Sequence, residues 1–228
     1  MELPIKLNPK FSSKKAHEMQ RQLSKKLVFE DNLPREINYV AGVDVGYIND
    51  YSVAAVAVLE YPNLSLVESQ TVHSKTRFPY VPTFLSFREI PPAYSAIQKL
   101  EHNPDVFLVD GQGFAHPYGL GFASHLGLIL NEPTVGVAKS LLCGKVEQQN
   151  EGNRFAVLKD NNNVVIGAVV VTRQGTKPVY VSVGHRVSLN RAVSLVLSCS
   201  PKFRVPEPIR QAHRLADKQK RCLVDSGF

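Results

Sequence analysis

Two aspartates stand at positions where they can bind a metal ion. Asp110 directly follows the apolar run Val106–Val109, and a short apolar run bounded by turn residues is typical of a buried strand. Asp44 lies among the apolar residues of a second such run, Tyr39–Gly46. Because an ionised carboxylate is costly to bury unless it is paired or coordinates a metal, we interpret the two aspartates as sharing a metal ion. The simpler alternatives are that Asp110 caps the turn after its strand and that Asp44 faces solvent.

A third carboxylate, Glu89, stands just before two adjacent prolines. Since proline is favoured in the first turn of a helix, the sequence predicts a helix from about Pro91 to His102. Glu89 would then lie at the corner before that helix. A glutamate at such a corner is commonly a helix cap or an ion-pair partner, here of Arg88. Beside two aspartates it becomes a candidate metal ligand.

Lys139 follows the predicted strand Pro133–Ala138. It can be a solvated charge after a strand, or it can neutralise a phosphate next to the carboxylates. His116 lies in the glycine-rich loop after Asp110, where a histidine is often only a turn residue. Glycines in this loop allow the backbone to approach a ligand closely.

The segment Thr76–Pro82 contains two prolines separated by two residues, a pattern that neither a central strand nor a helix accommodates. The sequence therefore predicts a stiff loop that presents Phe78, Tyr80 and Val81. Two interpretations are open: the aromatic residues pack the loop against the domain, or they form an exposed wedge.

The surrounding elements predict how these side chains meet. A hairpin meander of three strands is followed by alternating helices and strands. If the first and fourth strands are parallel neighbours, Asp44 and Asp110 lie together at their ends. This is the layout of the RNase H-like fold, an α/β class with a mixed five-stranded-type central sheet flanked by helices, here with extra strands and terminal helices. The predicted elements are helices at 13–30, 91–102 and 120–130, a helix after Ser188 and a last helix from Pro206, and strands at 39–46, 53–59, 66–73, 106–110, 133–138, 164–171 and 179–183.

Composition sets the remaining expectations. The 228 residues carry a formal net charge of +7, which favours an anionic partner such as nucleic acid. The three cysteines are widely spaced and lack metal-ligand spacing, so we expect reduced thiols and no zinc site. The chain shows neither a signal-peptide pattern nor a membrane-length apolar run. We expect a single domain over residues 1–228, in a monomeric cytoplasmic protein without membrane contact.

Several short motifs closely resemble those of the endonuclease V family, the deoxyinosine 3′ endonucleases, and occur in the same order along the chain. They run through most of the chain, which makes accidental similarity very improbable. The matching segments are GVDVGY (42–47), PYVP (79–82), FLSFRE (84–89), VDGQGFAHP (109–117), LGFASHLG (120–127), PTVGVAKSLLCG (133–144), GHRVSL (184–189) and VPEP (205–208).

This resemblance implies roles for individual residues. It makes Asp44, Glu89 and Asp110 the metal-binding carboxylates. Lys139 matches a position beside the scissile phosphate, while His213 and His116 match further active-site histidines. The PYVP loop resembles a strand-separating wedge, and a glycine-rich region resembles the pocket for the displaced base. The wedge residues are Pro79, Tyr80, Val81 and Pro82, and the pocket residues are Gly111, Gly113, Gly121, Phe122 and Leu142.

The resemblance also implies an activity. It indicates a DNA repair endonuclease that requires Mg²⁺, with Mn²⁺ as a substitute, and that recognises deoxyinosine formed by deamination of adenine. Cleavage is expected at the second phosphodiester bond 3′ to the lesion, leaving 3′-hydroxyl and 5′-phosphate ends. Two alternatives are open: the same nuclease acting on RNA that contains inosine, and a non-catalytic nucleic-acid-binding domain that retains the fold.

Overall fold

A computed structural model of the chain describes residues 11–147 and 155–226. The sequence also predicts a variable loop and a strand over 145–163, and part of that segment, residues 148–154, lies outside the described residues. The helices are α1 (Ser13–Ser24), α2 (Leu85–Ile97), α3 (Phe122–Leu130), α4 (Leu189–Ser198) and α5 (Glu207–Asp225). The strands are β1 (Tyr39–Ile48), β2 (Tyr51–Glu60), β3 (Leu66–Lys75), β4 (Val106–Asp110), β5 (Thr134–Ala138), β6 (Lys145–Val146), β7 (Phe155–Lys159), β8 (Val165–Val170) and β9 (Val179–His185).

Within the described ranges, all nine strands form one sheet in the order β3-β2-β1-β4-β5-β9-β8-β7-β6. The first five positions form the mixed sheet predicted for the RNase H-like fold, and the last four are the extra strands. The predicted meander is confirmed, because β1 to β3 pair antiparallel in sequence. The predicted parallel pairing of β1 with β4 is also confirmed, with Val43 opposite Val109. The residues that follow this pair are Asp44 on β1 and Asp110 on β4.

Apolar residues of the central strands alternate between the two faces of the sheet. Val40 and Leu108 belong to a core cluster that includes residues of α4 and α5. Val43 and Val109 belong to a second cluster that includes residues of α2 and α3. Burial on both faces explains why these strands read as continuous apolar runs. No helix among the described residues has the length and apolar character that a membrane crossing requires.

The prediction for the helix around Glu89 was wrong. The helix does not begin at Pro91: α2 starts at Leu85, contains both prolines in its interior and ends at Ile97. Glu89 therefore lies on a helix rather than at a corner before one. Proline inside a helix removes backbone hydrogen bonds, but Ile90 and Ala93 bury the inner face of α2 against the sheet. This packing overrides the local signal.

The first helix is shorter than predicted. Its N-cap is Ser12, whose hydroxyl accepts a hydrogen bond from the Lys15 amide, and it ends at Ser24 rather than at residue 30. The chain then turns away, because the amide of Val28 donates to His185 and its carbonyl accepts from Arg186. Tertiary backbone pairing therefore ends a helix that composition alone would extend. By contrast, Ser188 caps α4 as predicted, accepting from the Arg191 amide.

Candidate active site

Asp44 and Asp110 lie side by side on the two central strands, directly after the last residues of the parallel pairing between β1 and β4. Asp110 ends β4 as predicted, whereas Asp44 lies in the middle of β1, which continues to Ile48. Asp44 is 8% exposed, and its Oδ1 accepts a hydrogen bond from the Val45 amide at 2.9 Å. Burial and the nearby charge of Asp44 raise the pKa of Asp110, while the ammonium of Lys139 opposes this shift. Two adjacent buried carboxylates repel each other, so the pair favours a cation between them.

α5 contributes His213 to the same place. His213 Nδ1 lies 2.7 Å from Asp44 Oδ2, and its Nε2 lies 3.4 Å from Asp217 Oδ2. Asp44, Asp110 and His213 each offer a ligand atom within 4.8 Å of the others, a group that can hold a metal ion. An imidazole that faces a metal site commonly donates its other N–H to a carboxylate, and Asp217 is placed to accept it.

Glu89, on α2, lies near Asp44 and Asp110 but outside the group of three ligand atoms. Its Oε1 accepts a hydrogen bond from the Tyr47 hydroxyl at 3.2 Å. Its Oε2 is buried and has no partner among the described residues. Burial and the charges of Asp44 and Asp110 raise the pKa of Glu89 well above its ordinary value. A buried carboxylate oxygen without a donor, beside two further carboxylates, fits a hard divalent cation that binds through oxygen.

Lys139 lies at the edge of the cluster, directly after β5. Its ammonium donates to Asp110 Oδ2 at 2.5 Å, and its side chain remains 45% exposed. The Lys139 carbonyl accepts from the Arg204 guanidinium at 2.7 Å, which fixes the backbone below the side chain. An exposed cation held beside buried carboxylates can bind an anionic group that approaches from solvent.

The loop with the two prolines forms part of the wall of a mostly apolar cavity. Of the two interpretations left open for the loop, each describes part of it: Tyr80 is 68% exposed in the wall of this cavity, whereas Phe78 packs against Phe87 of α2. The cavity has a volume of about 140 Å³. Among the predicted wedge and pocket residues, its walls contain Tyr80, Val81, Pro82, Gly121, Phe122 and Leu142.

Two of the predicted pocket glycines are absent from the described walls of the cavity, namely Gly111 and Gly113. Position 113 requires glycine because of packing and not because of a ligand: a Cβ there would collide with the backbone of Val183 on β9. Its amide also donates to Ser182 Oγ at 2.8 Å. At Gly111 an added Cβ would make only an ordinary contact with Phe122.

His116 lies in the cavity wall and outside the metal-binding group. Burial lowers the pKa of His116 to about 4, so its imidazole is neutral at pH 7. Its Nδ1 accepts a hydrogen bond from the Tyr118 amide at 3.2 Å. A neutral imidazole with a fixed tautomer can serve as a polar group in a pocket that is otherwise apolar.

Sequence reasoning missed Tyr47 and Asp217. The Tyr47 ring carries the guanidinium of Arg88 at 3.9 Å from its centroid, while its hydroxyl donates to Glu89. Arg88 therefore stacks on Tyr47, instead of forming the ion pair with Glu89 that was the alternative prediction. Tyr47 belongs to the matched word GVDVGY, which was the available signal. Asp217 follows His213 by one helical turn, a spacing that places both on one helix face.

A mixed sheet in this strand order, with two carboxylates side by side on its central strands, is the arrangement of nucleases with the RNase H-like fold. The family model of endonuclease V matches residues 21–214. The chain belongs to the endonuclease V family.

Named relatives agree with this assignment. The chain is 48% identical over 203 residues to the endonuclease V of Nostoc sp., covering 88% of this chain and 92% of the relative. The crystal structure of Streptomyces avermitilis endonuclease V superimposes with a TM-score of 0.86 at 34% identity, covering 99% and 100% of the two chains. Ciona intestinalis endonuclease V, in complex with a 24mer DNA containing an inosine followed by a ribo-adenosine, gives 0.83 at 31% identity, covering 92% and 98%.

Proposed function

We propose that this chain is a Mg²⁺-dependent DNA repair endonuclease that recognises deoxyinosine. In this proposal it hydrolyses the second phosphodiester bond 3′ to the lesion and leaves 3′-hydroxyl and 5′-phosphate ends. The observation that carries the proposal is the convergence of Asp44 and Asp110, with Glu89 beside them, at one edge of the sheet. Membership of the endonuclease V family supports the reaction class.

Asp44, Asp110 and Glu89 would hold the ion, with His213 as a further ligand. Carboxylate oxygens favour Mg²⁺ and Mn²⁺, and imidazole nitrogen favours transition metals, so a mixed set is consistent with Mn²⁺ as a substitute. When bound, the ion supplies Lewis-acid stabilisation of the phosphoryl oxygens and lowers the pKa of bound water. The buried Oε2 of Glu89, which has no partner among the described residues, would gain one in this cation.

The side chains around the ion have separate tasks. Lys139 holds its ammonium where a scissile phosphate would enter. An oxygen of that phosphate would compete with the Asp110 carboxylate for the hydrogen bonds of the ammonium. His213 Nδ1, which lies 2.7 Å from Asp44 Oδ2, would face the ion together with that carboxylate. Hydrolysis by an activated water needs no covalent nucleophile from the protein. The thiols of the three cysteines, none of them in the metal-binding group, therefore have no assigned step.

Recognition is assigned to the neighbouring cavity. We infer that the PYVP loop inserts Tyr80 into the base stack, and that the displaced base enters the cavity lined by Gly121, Phe122 and Leu142. Unstacking costs a few kcal/mol and is least for a weakly paired base, so an inosine pair is opened more easily than an undamaged pair. The net charge of +7 supports binding to the phosphate backbone. We propose that the protein acts as a monomer.

The Ciona relative was crystallised with a substrate that contains both an inosine and a ribo-adenosine. This favours one alternative for the present chain, namely cleavage of RNA at inosine. The two substrates differ by a 2′-hydroxyl near the cut. Rates measured on matched oligonucleotides that carry deoxyinosine or inosine in the same sequence decide between them.

The primary test is a strand-cleavage assay on an end-labelled duplex with one deoxyinosine, with and without Mg²⁺. We expect a single product cut one nucleotide beyond the lesion, only when the ion is present. Asp110→Asn should abolish cleavage while lesion binding in EDTA is retained. Uncut substrate with Mg²⁺ and wild-type protein would indicate the non-catalytic alternative, and a cut at another position would refute the proposed specificity.

A further inference from the structure

Two side chains of helix α1 form hydrogen bonds with Thr83, the residue that connects the proline-rich loop to α2. Gln20 of α1 is fully buried, and its Nε2 donates to the backbone carbonyl of Thr83 at 2.7 Å. One turn earlier, His17 Nε2 forms a hydrogen bond with the Thr83 hydroxyl at 3.0 Å. Two side chains of one helix therefore hold the backbone and the side chain of the same residue.

Thr83 adopts a conformation that its own chemistry disfavours. Its φ is +72°, in the left-handed region, which is a genuine outlier for a β-branched residue. Such a conformation persists only when surrounding contacts over-determine it. Because Thr83 directly follows Pro82, its backbone angles set the direction in which the loop leaves α2 and hence where Tyr80 points.

The ring of His17 is itself fixed by stacking. It lies between the rings of Phe84 and Tyr118, with centroid distances of 4.5 Å and 3.8 Å and interplanar angles of 13° and 16°. Phe84 is 2% exposed and is the first residue after Thr83. The three stacked rings therefore connect α1, the N-terminal end of α2 and the glycine-rich loop that contributes to the cavity.

We propose that Gln20 and His17 are positioning residues that latch Thr83, and so set the orientation of the Tyr80 wedge and the selectivity for the displaced base. The inference rests on the proposed function of the loop and cavity. Both residues lie outside the segment 21–214 that the family model matches. Neither belongs to the metal-binding group.

Gln20 could serve the stability of the fold alone, and that role predicts different effects of a substitution than the positioning of Thr83 does. The amide oxygen Oε1 of Gln20 is buried without a partner among the described residues, so replacing the amide with an apolar group of similar size removes an unsatisfied atom as well as one hydrogen bond. Gln20→Met also takes a donor away from the Thr83 carbonyl, so we expect a moderate loss of stability with the fold retained. A purely structural role would stop at that loss, whereas a latch would also change base opening and selectivity.

The test compares Gln20→Met with Gln22→Met. Gln22 lies on the exposed face of the same helix and bonds only to Glu18 among the described residues. Base opening is followed in EDTA by the fluorescence of 2-aminopurine next to inosine. Selectivity is the ratio of kcat/KM for inosine-containing and undamaged duplexes. We expect Gln20→Met to reduce the base-opening signal and to lower the ratio roughly fivefold, the effect of one lost neutral hydrogen bond.

Gln22→Met should match the wild type in both measurements, and Mn²⁺ affinity should be the same in all three proteins. Unchanged opening and selectivity in Gln20→Met would refute the latch. If Gln20→Met does not fold, His17→Leu, which keeps a side chain in the stack but removes the Thr83 bond, must show the same losses; its failure to do so would also refute the latch. A wild type without base opening or preference for inosine would instead refute the proposed function.

Discussion

Gly42 of β1 lies directly against the carbonyl group of Pro208, the second residue of α5, so that a Cβ on Gly42 would collide with that carbonyl. The missing side chain lets the helix cross the strand at backbone contact. Five residues further along α5, His213 then reaches Asp44, which is two residues beyond Gly42 on β1. A glycine in the middle of a buried strand thus sets the distance between an imidazole and a carboxylate.

Gly42→Ala is expected to displace α5 from the sheet. Because the colliding atoms belong to the backbone, we expect a loss of stability at the upper end of the roughly 1–3 kcal/mol that overpacking costs, together with loss of cleavage. The matched control is Gly46→Ala, four residues along β1, where an added Cβ would meet only the end of the Lys220 side chain at 3.1 Å. Urea unfolding of both variants checks this, and equal stabilities would contradict the close-packing argument.

Glu89→Gln is expected to weaken metal binding without unfolding the protein. The substitution preserves shape and the contact with Tyr47, but it removes the charge and one oxygen ligand. We expect the Mn²⁺ affinity measured by calorimetry to fall by at least about tenfold, as for other losses around metal sites. Glu132→Gln, an exposed position after α3, serves as the control. Wild-type affinity in Glu89→Gln would remove Glu89 from the ligand set.

Tyr80→Ala is expected to reduce lesion selectivity more than the chemical step. The exposed ring is proposed to offset unstacking, which costs a few kcal/mol, and Tyr80 lies in the cavity wall and outside the metal-binding group. Single-turnover cleavage of an inosine substrate in a pre-opened bulge should therefore stay close to the wild-type rate, while discrimination in a paired duplex falls. Tyr94→Ala, an exposed tyrosine on α2, is the control. Unchanged discrimination in the Tyr80 variant would contradict the wedge.

Glu68→Gln is expected to destabilise the fold in a pH-dependent manner. Burial raises the pKa of Glu68, but hydrogen bonds from the His102 and Glu101 amides outweigh it and lower the pKa from 4.5 to about 2. The stabilisation by the carboxylate is therefore complete above pH 4.5 and is lost as the pH falls towards 2. We expect a loss of about 1–3 kcal/mol at pH 7.

Urea unfolding at pH 7, 4 and 3 measures this effect. The difference in the free energy of unfolding between Glu68→Gln and the wild type should narrow at the lower pH values. As the pH falls, Glu68 of the wild type is protonated in the unfolded chain before it is protonated in the folded protein, and this lowers the stability of the wild type. A difference that stays constant from pH 7 to pH 3 would show that packing, and not charge, is the cause.

The central part of the fold follows from the sequence because its signals are local. Val106–Val109 and Tyr39–Val43 are continuous apolar runs, and each is followed by an aspartate. Parallel pairing then brings both carboxylates to one edge of the sheet. The position after a predicted strand also marks Lys139, whereas His213 follows only from the resemblance to the family.

The remaining features depend on contacts that leave no local pattern. The prolines of α2 read as a helix start, yet the packing of Ile90 and Ala93 on the sheet carries the helix through them. Gln20 is separated from Thr83 by 63 residues, and a buried glutamine on a polar helix looks like any solvated side chain in the sequence. Gly113 resembles a ligand-contact glycine, although backbone packing on β9 explains it.

Asp44 and His213 are separated by 169 positions along the chain, and α5 is the last helix in the described structure. The imidazole therefore joins the two aspartates only when α5 has docked on the central strands. A protein truncated before residue 213 would lack this imidazole, and it would also lack the part of α5 that covers apolar residues of β2, where Ala216 and Leu223 pack against Val53, Ala55 and Ala57. The same helix therefore closes the core and completes the group that can hold a metal ion.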